Sequence, residues 1–386
     1  MSDNKIIFLL SSNASKEYML DMLEVLALPF GMVQHFRYQL KRIGEELKEK
    51  LPLKDITKKN PFKNYKVVIC YLYQEKTNQE KTNNGWKWIK IYPVRTGVLM
   101  DAYKTGEKDE DIAHFYFKVD AYIPYDKGNK IVGEIKEWND IWNKTYAFLG
   151  KNLKNNINTL EKERYLAFHK ICTSFKKEHF RSPEGNIEYY PVFCLIEGLK
   201  TFKKNEKNKE TLTPEYDPLT HKSYYTIVEN SRYSFEFRTF FPEEPPEFQI
   251  IVESDKKLFS TPPKYEFKIS SRYTEENCAL ISRFLESDAW TGISYITELK
   301  ESGGKKPLNI SINFPIKIVR KRWYRFLEAL SDIGFGIGTG AIALRAASMS
   351  FSDIPSILKF FSSWWTIVVA YFIWALLKVI IKLQRG

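Results

Sequence analysis

A chain of 386 residues with 59 Lys/Arg against 47 Asp/Glu and a mean hydropathy of −0.38 is too long for one small core and too polar for a polytopic membrane protein. Its net charge of +12 is concentrated at one end: between Pro315 and Gly386 ten Lys/Arg face three acids. That asymmetry argues against a general nucleic-acid coat and for a basic tail beside an anionic surface.

In chain order, Ile6–Leu10 (IIFLL) reads as a buried strand and Lys16–Leu28 as an amphipathic helix, ended by Pro29 and Gly31. Met32–Tyr38, Tyr65–Tyr73, Trp86–Pro93 and His114–Ile123 are rich in aromatic and β-branched residues, which predicts strands of one sheet. Residues 1–130 are thus expected to form a mixed α/β or barrel-like domain. The hydrophobic period lengthens over 131–182, predicting a helical connector. From 183 to 315 short alternating segments such as Tyr233–Phe240 (YSFEFRTF) and Leu308–Phe314 (LNISINF) predict an antiparallel β-sandwich. The expected class is therefore α+β.

Beyond the sandwich lies a basic neck, 316–332, and then an apolar segment, 333–386. Phe360–Leu377 runs 18 residues without a charge, near the minimum for a membrane-spanning helix. Ahead of it Ile333–Ser352 is glycine-rich, so the spacing predicts a transmembrane helical hairpin. Gly334 and Gly338, with Ala341 and Arg345, fall on one helical face, where small residues let helices approach closely and a lone arginine would line a polar path. The basic residues crowd both outer ends: Lys317, Arg320, Lys321, Arg322 and Arg325 on one side, Lys378, Lys382 and Arg385 on the other. By the positive-inside rule both ends and the body should face the cytoplasm, with the hairpin in the cytoplasmic membrane. These eight cations are the candidate sites for anionic lipid.

Catalytic signatures are absent: no GxxxxGK[ST], GxSxG, HExxH or paired CxxC occurs, so neither enzyme activity, a metal nor a cofactor is expected. Glu266-Phe-Lys268 after Asp255 imitates a nuclease pattern, but both polar residues sit on the outer face of a predicted strand. His169 and Cys172, three apart on a helix, have no second pair to complete a metal site. The four cysteines are scattered, which suits a reducing compartment, and no signal peptide is expected, because the apolar run Ile6–Leu10 after Asp3 and Lys5 is too short for its hydrophobic region. Arg37 and Arg95 stand in aromatic strands, where a guanidinium fork could hold a phosphate; a cross-strand cation–π contact or salt bridge explains them equally well.

The layout, with the basic neck and glycine-rich hairpin of Lys317–Gly386, resembles the membrane effectors of prokaryotic antiviral systems, including the transmembrane partner encoded beside some archaeal short Argonautes. The resemblance implies a protein activated by an Argonaute-type sensor, binding anionic phospholipid, assembling into homo-oligomers and depolarising the membrane in abortive infection, without itself binding nucleic acid. Two other readings remain: a nucleotide-gated channel using Arg37 and Arg95, and a passive anchor or scaffold.

Overall fold

The computed structural model describes residues 6–54, 61–62, 65–76, 86–124, 145–150, 164–175, 177–183, 187–202, 209–241, 247–299, 305–321, 326–327, 329–333, 335–337, 339–340, 342 and 364–385. The chain divides into two compact units. One gathers 1–226, 232–281 and 291–316; the other gathers 227–231, 282–290 and 317–386.

The described strands are β1 (Ile6–Ser12), β2 (Val33–Gln39), β3 (Lys66–Lys76), β4 (Trp86–Lys104), β5 (Ile112–Tyr122), β6 (Ala147–Gly150), β7 (Tyr189–Pro191), β8 (Phe193–Phe202) and β9 (Lys209–Thr211). They continue as β10 (Glu215–Asp217), β11 (Lys222–Val228), β12 (Arg232–Phe240), β13 (Phe248–Ser254), β14 (Lys264–Ile269), β15 (Tyr273–Ile281), β16 (Ala289–Leu299), β17 (Lys306–Leu308) and β18 (Ser311–Val319). The described α-helices include α1 (Lys16–Ala27), α2 (Glu45–Lys50), α3 (Arg164–Ser174) and α4 (Trp364–Arg385), and described residues between 326 and 342 are helical as well.

In the first unit one sheet has the order β2-β5-β4-β3-β1-β6, antiparallel except for the β1/β3 pair. The parallel pair exists because α1 and β2 intervene between β1 and β3, so the chain returns in the same sense. β1 (IIFLLSS) is buried along its whole length, as an unalternating apolar run requires when both faces are covered. Two further sheets, β10-β11-β18-β16-β13-β14 and β15-β12-β8-β9, face each other. The alternation of β12 turns Phe235 and Phe237 inward, where they meet Phe314 at 5.4 Å and Tyr295 at 5.2 Å, ring centre to centre, across the sandwich. β8 bulges where it pairs with Glu236 and Phe237. Gly198 there has φ +90°, and a Cβ would sit 2.5 Å from the Tyr225 hydroxyl, so only glycine fits.

Helix α1 begins at the Ser15 cap, whose hydroxyl accepts from Tyr18 N, and buries Met19, Met22, Leu23, Val25 and Leu26. Its last turn holds no basic residue. The free carbonyls there are met from the sheet: the Arg95 guanidinium donates to Val25 O and Leu28 O at 2.6 and 2.7 Å, and Tyr122 Oη donates to Leu26 O at 2.5 Å. This fixes α1 against β4 and β5.

Two expectations are corrected. The fold is mostly β rather than α+β with a C-terminal hairpin across a membrane, and among the described residues no helix is long and apolar enough to cross one. The charge-free run is counted from Phe360; residues 360–363 lie outside the described residues, and the part of the run within described α4, Trp364–Leu377, is 14 residues long. At 1.5 Å per residue that is about 21 Å, against roughly 30 Å of hydrocarbon. The placement in the cytoplasmic membrane, with both ends facing the cytoplasm, rested on that hairpin and falls with it.

In the second unit α4 packs along one side only, burying Ile367 and Ala370 while Trp365, Val368, Phe372, Ile373, Leu376 and Val379 are exposed. Leu377 and Ile380 lie against buried Leu327 with Phe284, Phe335 rests on Tyr371 and Trp374, and Lys378 Nζ stands 3.7 Å from an Asp332 oxygen. Gly334, Gly338, Ala341 and Arg345 lie outside the described residues. The described glycines of that stretch, Gly336 and Gly340, have nothing within 4 Å of where a Cβ would be, so neither marks a close helix contact.

Candidate functional site

The site grows from the two-residue period of β2 and β5. In β2 the alternation sends Phe36 and Tyr38 into the core and leaves His35 and Arg37 on the other face. In β5 it buries Phe115, Phe117 and Val119 and turns out His114 and Tyr116. The antiparallel register pairs His35 with Tyr116 and Arg37 with His114. A bulge in β4 between Leu99 and Asp101 brings Asp101 opposite Tyr116 and Tyr103 opposite His114. One face of this sheet therefore collects four rings and one acid from three strands.

The rings lie in layers. His35 and His114 are joined edge to edge, Nε2 to Nδ1, at 3.0 Å with planes 10° apart. Beneath them Tyr116 stacks on His35 at 4.1 Å and Tyr103 on His114 at 4.8 Å; the two phenol oxygens are 3.4 Å apart. On the far side of Tyr116 lies His221, at 4.3 Å. Each contact is worth about 0.5–1.5 kcal/mol beyond area burial.

His221 comes from the turn between β10 and β11. It has φ +54°, unusual for a side chain with a Cβ. The turn is set by Asp217, whose carboxylate accepts from Leu219 N and Thr220 Oγ1. The His221 ring is then held at both nitrogens: Nδ1 is 2.9 Å from Tyr216 Oη and Nε2 is 3.5 Å from an Asp101 oxygen. Ser223 Oγ accepts from Val33 N at 2.9 Å, which seats this hairpin beside β2.

Beside the stack opens a cleft of about 410 Å³, lined among others by Glu24, Gln34, His35, Tyr116, His221, Lys222 and Asn313. That volume lies within the range of about 300–1,000 Å³ usual for small-molecule sites. Burial dominates the titration here. It lowers His35 to about 4, helped by His114, Arg37 and His221, and lowers His114, helped by Arg37 and Lys54. It raises Glu24 against the Gln34 hydrogen bond, and raises Asp21 to about 7 with help from Glu24 while Arg37 opposes. At neutral pH the His35 ring is therefore uncharged.

Of the two arginines suspected from the sequence, Arg37 is exposed on this face of β2, next to His35. Arg95 is 1% exposed; besides its two helix carbonyls it donates to Asp120 O at 3.0 Å and lies 4.3 Å from the Tyr122 ring centre. A second cavity beside it holds only about 150 Å³. The ring cluster escaped the sequence reading because its members are spread over β2, β4, β5 and a turn after β10. The available signal was histidine at outward positions of two aromatic strands.

The neck residues are anchored within the second unit. Glu229, fully buried, accepts from Lys321 N at 3.0 Å and Leu285 N at 2.8 Å. Lys321 Nζ donates to Asn230 O, Arg320 N donates to Asp288, and Lys317 Nζ lies 5.7 Å from the centre of the Trp290 ring. Arg322 and Arg325 are outside the described residues, as are the side chains of Lys382 and Arg385. Lys378 faces Asp332. His169 packs edge-on against Phe240 at 5.1 Å, and Lys264 pairs with Glu266 at 2.6 Å on the strand's exposed face. The chain matches no protein-family model and no curated protein.

Proposed function

We propose that this protein is a nucleotide sensor: its cleft holds a base-bearing ligand and does not transform it. The observation that carries this reading is one cleft of about 410 Å³ that joins uncharged stacked rings (His35, Tyr116) to amide and carboxylate groups (Gln34, Asn313, Glu24). Flat rings offer a surface for a base, and amides and acids read its polar edge. Lys222 lines the same cleft and Arg37 stands on the same sheet face, suiting them to a phosphate.

Catalysis fits the geometry less well. General acid–base chemistry needs an imidazole nitrogen free to meet the substrate. Both nitrogens of His221 are engaged, and His35 and His114 spend one each on the other. The effector activity implied by the resemblance needs an element that opens a membrane, which is the part now corrected. Nucleotide recognition, one of the alternatives offered by Arg37, is what the cleft supports.

Isothermal titration of the purified full chain with mononucleotides tests the reading. Binding is expected, and Tyr116→Ala should weaken it about tenfold or more, as expected for a stacked base. Lys222→Ala, at an exposed position that does not threaten the fold, should weaken nucleotides more than nucleosides. Absence of heat with every nucleotide would overturn the proposal.

A further inference from the structure

Resting on the nucleotide reading, the geometry points to guanine as the base that this cleft selects, with Glu24 and Gln34 as its reading pair and Asn313 as the third contact. The inference follows from an inventory of hydrogen-bonding groups around the cleft. Half of the polar side chains there are already committed. Ser223 accepts from Val33, Thr220 donates to Asp217, and the Tyr116 hydroxyl is beside that of Tyr103. The imidazoles are paired as described above.

Lys222 is left for a phosphate and Ser311 adds a lone hydroxyl; three further groups keep capacity suited to the edge of a base. Gln34 Nε2 donates to one Glu24 oxygen at 3.2 Å, which fixes the orientation of the amide. The second Glu24 oxygen and the Gln34 amide oxygen are then two neighbouring acceptors, and among the described residues neither meets a donor. Glu24 sits on the third turn of α1 and Gln34 on β2, so both are carried by regular elements rather than loops. Asn313, on the outward face of β18, adds an amide that can donate.

Two adjacent acceptors require two adjacent N–H donors. Guanine has them in its N1–H and exocyclic N2 amine, and its O6 beside them accepts from an amide such as that of Asn313. Adenine and cytosine present one amine next to an acceptor nitrogen, and uracil presents one N–H between two carbonyls. With any of these a Glu24 or Gln34 oxygen would face another acceptor, leaving a half-buried carboxylate without a partner. Burial already disfavours the charge on Glu24, and a ligand bringing two donors relieves that cost. A site that hydrogen-bonds a particular edge rejects a base lacking it far more sharply than one shaped by apolar contact.

The experiment is a titration of the full chain with GMP, IMP, AMP, CMP and UMP. GMP should bind about tenfold or more tightly than AMP, CMP or UMP, and IMP, which lacks the 2-amino group, should lie between. Glu24→Gln should reduce the preference for GMP over AMP to within about threefold, and Asn313→Ala, at an exposed position, should weaken GMP without lowering the melting temperature. Comparable affinity for all five would overturn the guanine assignment and leave the nucleotide reading standing. No binding of any of them would overturn both.

Discussion

At the scale of single residues, two titrating groups of the first unit have opposite shifts. Asp21 rises from 3.8 to about 7, chiefly through burial and then through Glu24 and Glu17, with Arg37 opposing. A raised carboxyl binds its proton more tightly in the folded chain, so its contribution is full below about pH 4 and is lost as pH rises through about 7. His35 falls from 6.5 to about 4, and its contribution is full above about 6.5 and lost as pH falls through 4. Melting curves between pH 5 and 8 separate the two. Asp21→Asn should be increasingly more stable than the unaltered chain as pH rises. Melting temperatures that run parallel over that range would contradict the assignment of Asp21.

At the scale of elements, α1 is the piece on which the first unit turns, since it carries Asp21 and Glu24 on one side and a buried apolar face on the other. Its C-terminal turn depends on Arg95, and Arg95→Met leaves three carbonyls, those of Val25, Leu28 and Asp120, without their donor. The expected loss is roughly 3 kcal/mol in urea unfolding. A near-neutral result would mean that Arg95 is held for a ligand instead. Much of this element was legible from the sequence: the apolar period of α1, its stop at Pro29, and the inward positions of β12 all follow from local spacing. The position of Arg95 under the end of α1 was not legible. That contact joins residues about 70 apart, and an arginine in an aromatic strand looks the same whether it holds a phosphate or a helix end. α4 misled for a different reason. A charge-free run counts residues in the sequence, whereas only Trp364–Leu377 of it belongs to the described helix, one side of which lies on Leu327.

At the scale of the whole molecule, the ring cluster shows how the proposed binding surface assembles without a motif. Strands β2, β4 and β5 are each ordinary when read alone, with large residues inward and mixed ones outward. Their register, together with the β10–β11 turn, assembles four of the ring groups around Tyr116. The five histidines of the chain divide accordingly: His35, His114 and His221 in the cluster, His169 against Phe240, and His179 bonded to Tyr92 Oη at 3.0 Å. That division supplies its own control. Imidazole proton and carbon resonances recorded during titration with GMP test the central claim most directly. The account predicts that the signals of His35, His114 and His221 shift with a common saturation while those of His169 and His179 stay in place. Saturable shifts confined to His169 or His179, or no shifts at all, would contradict it.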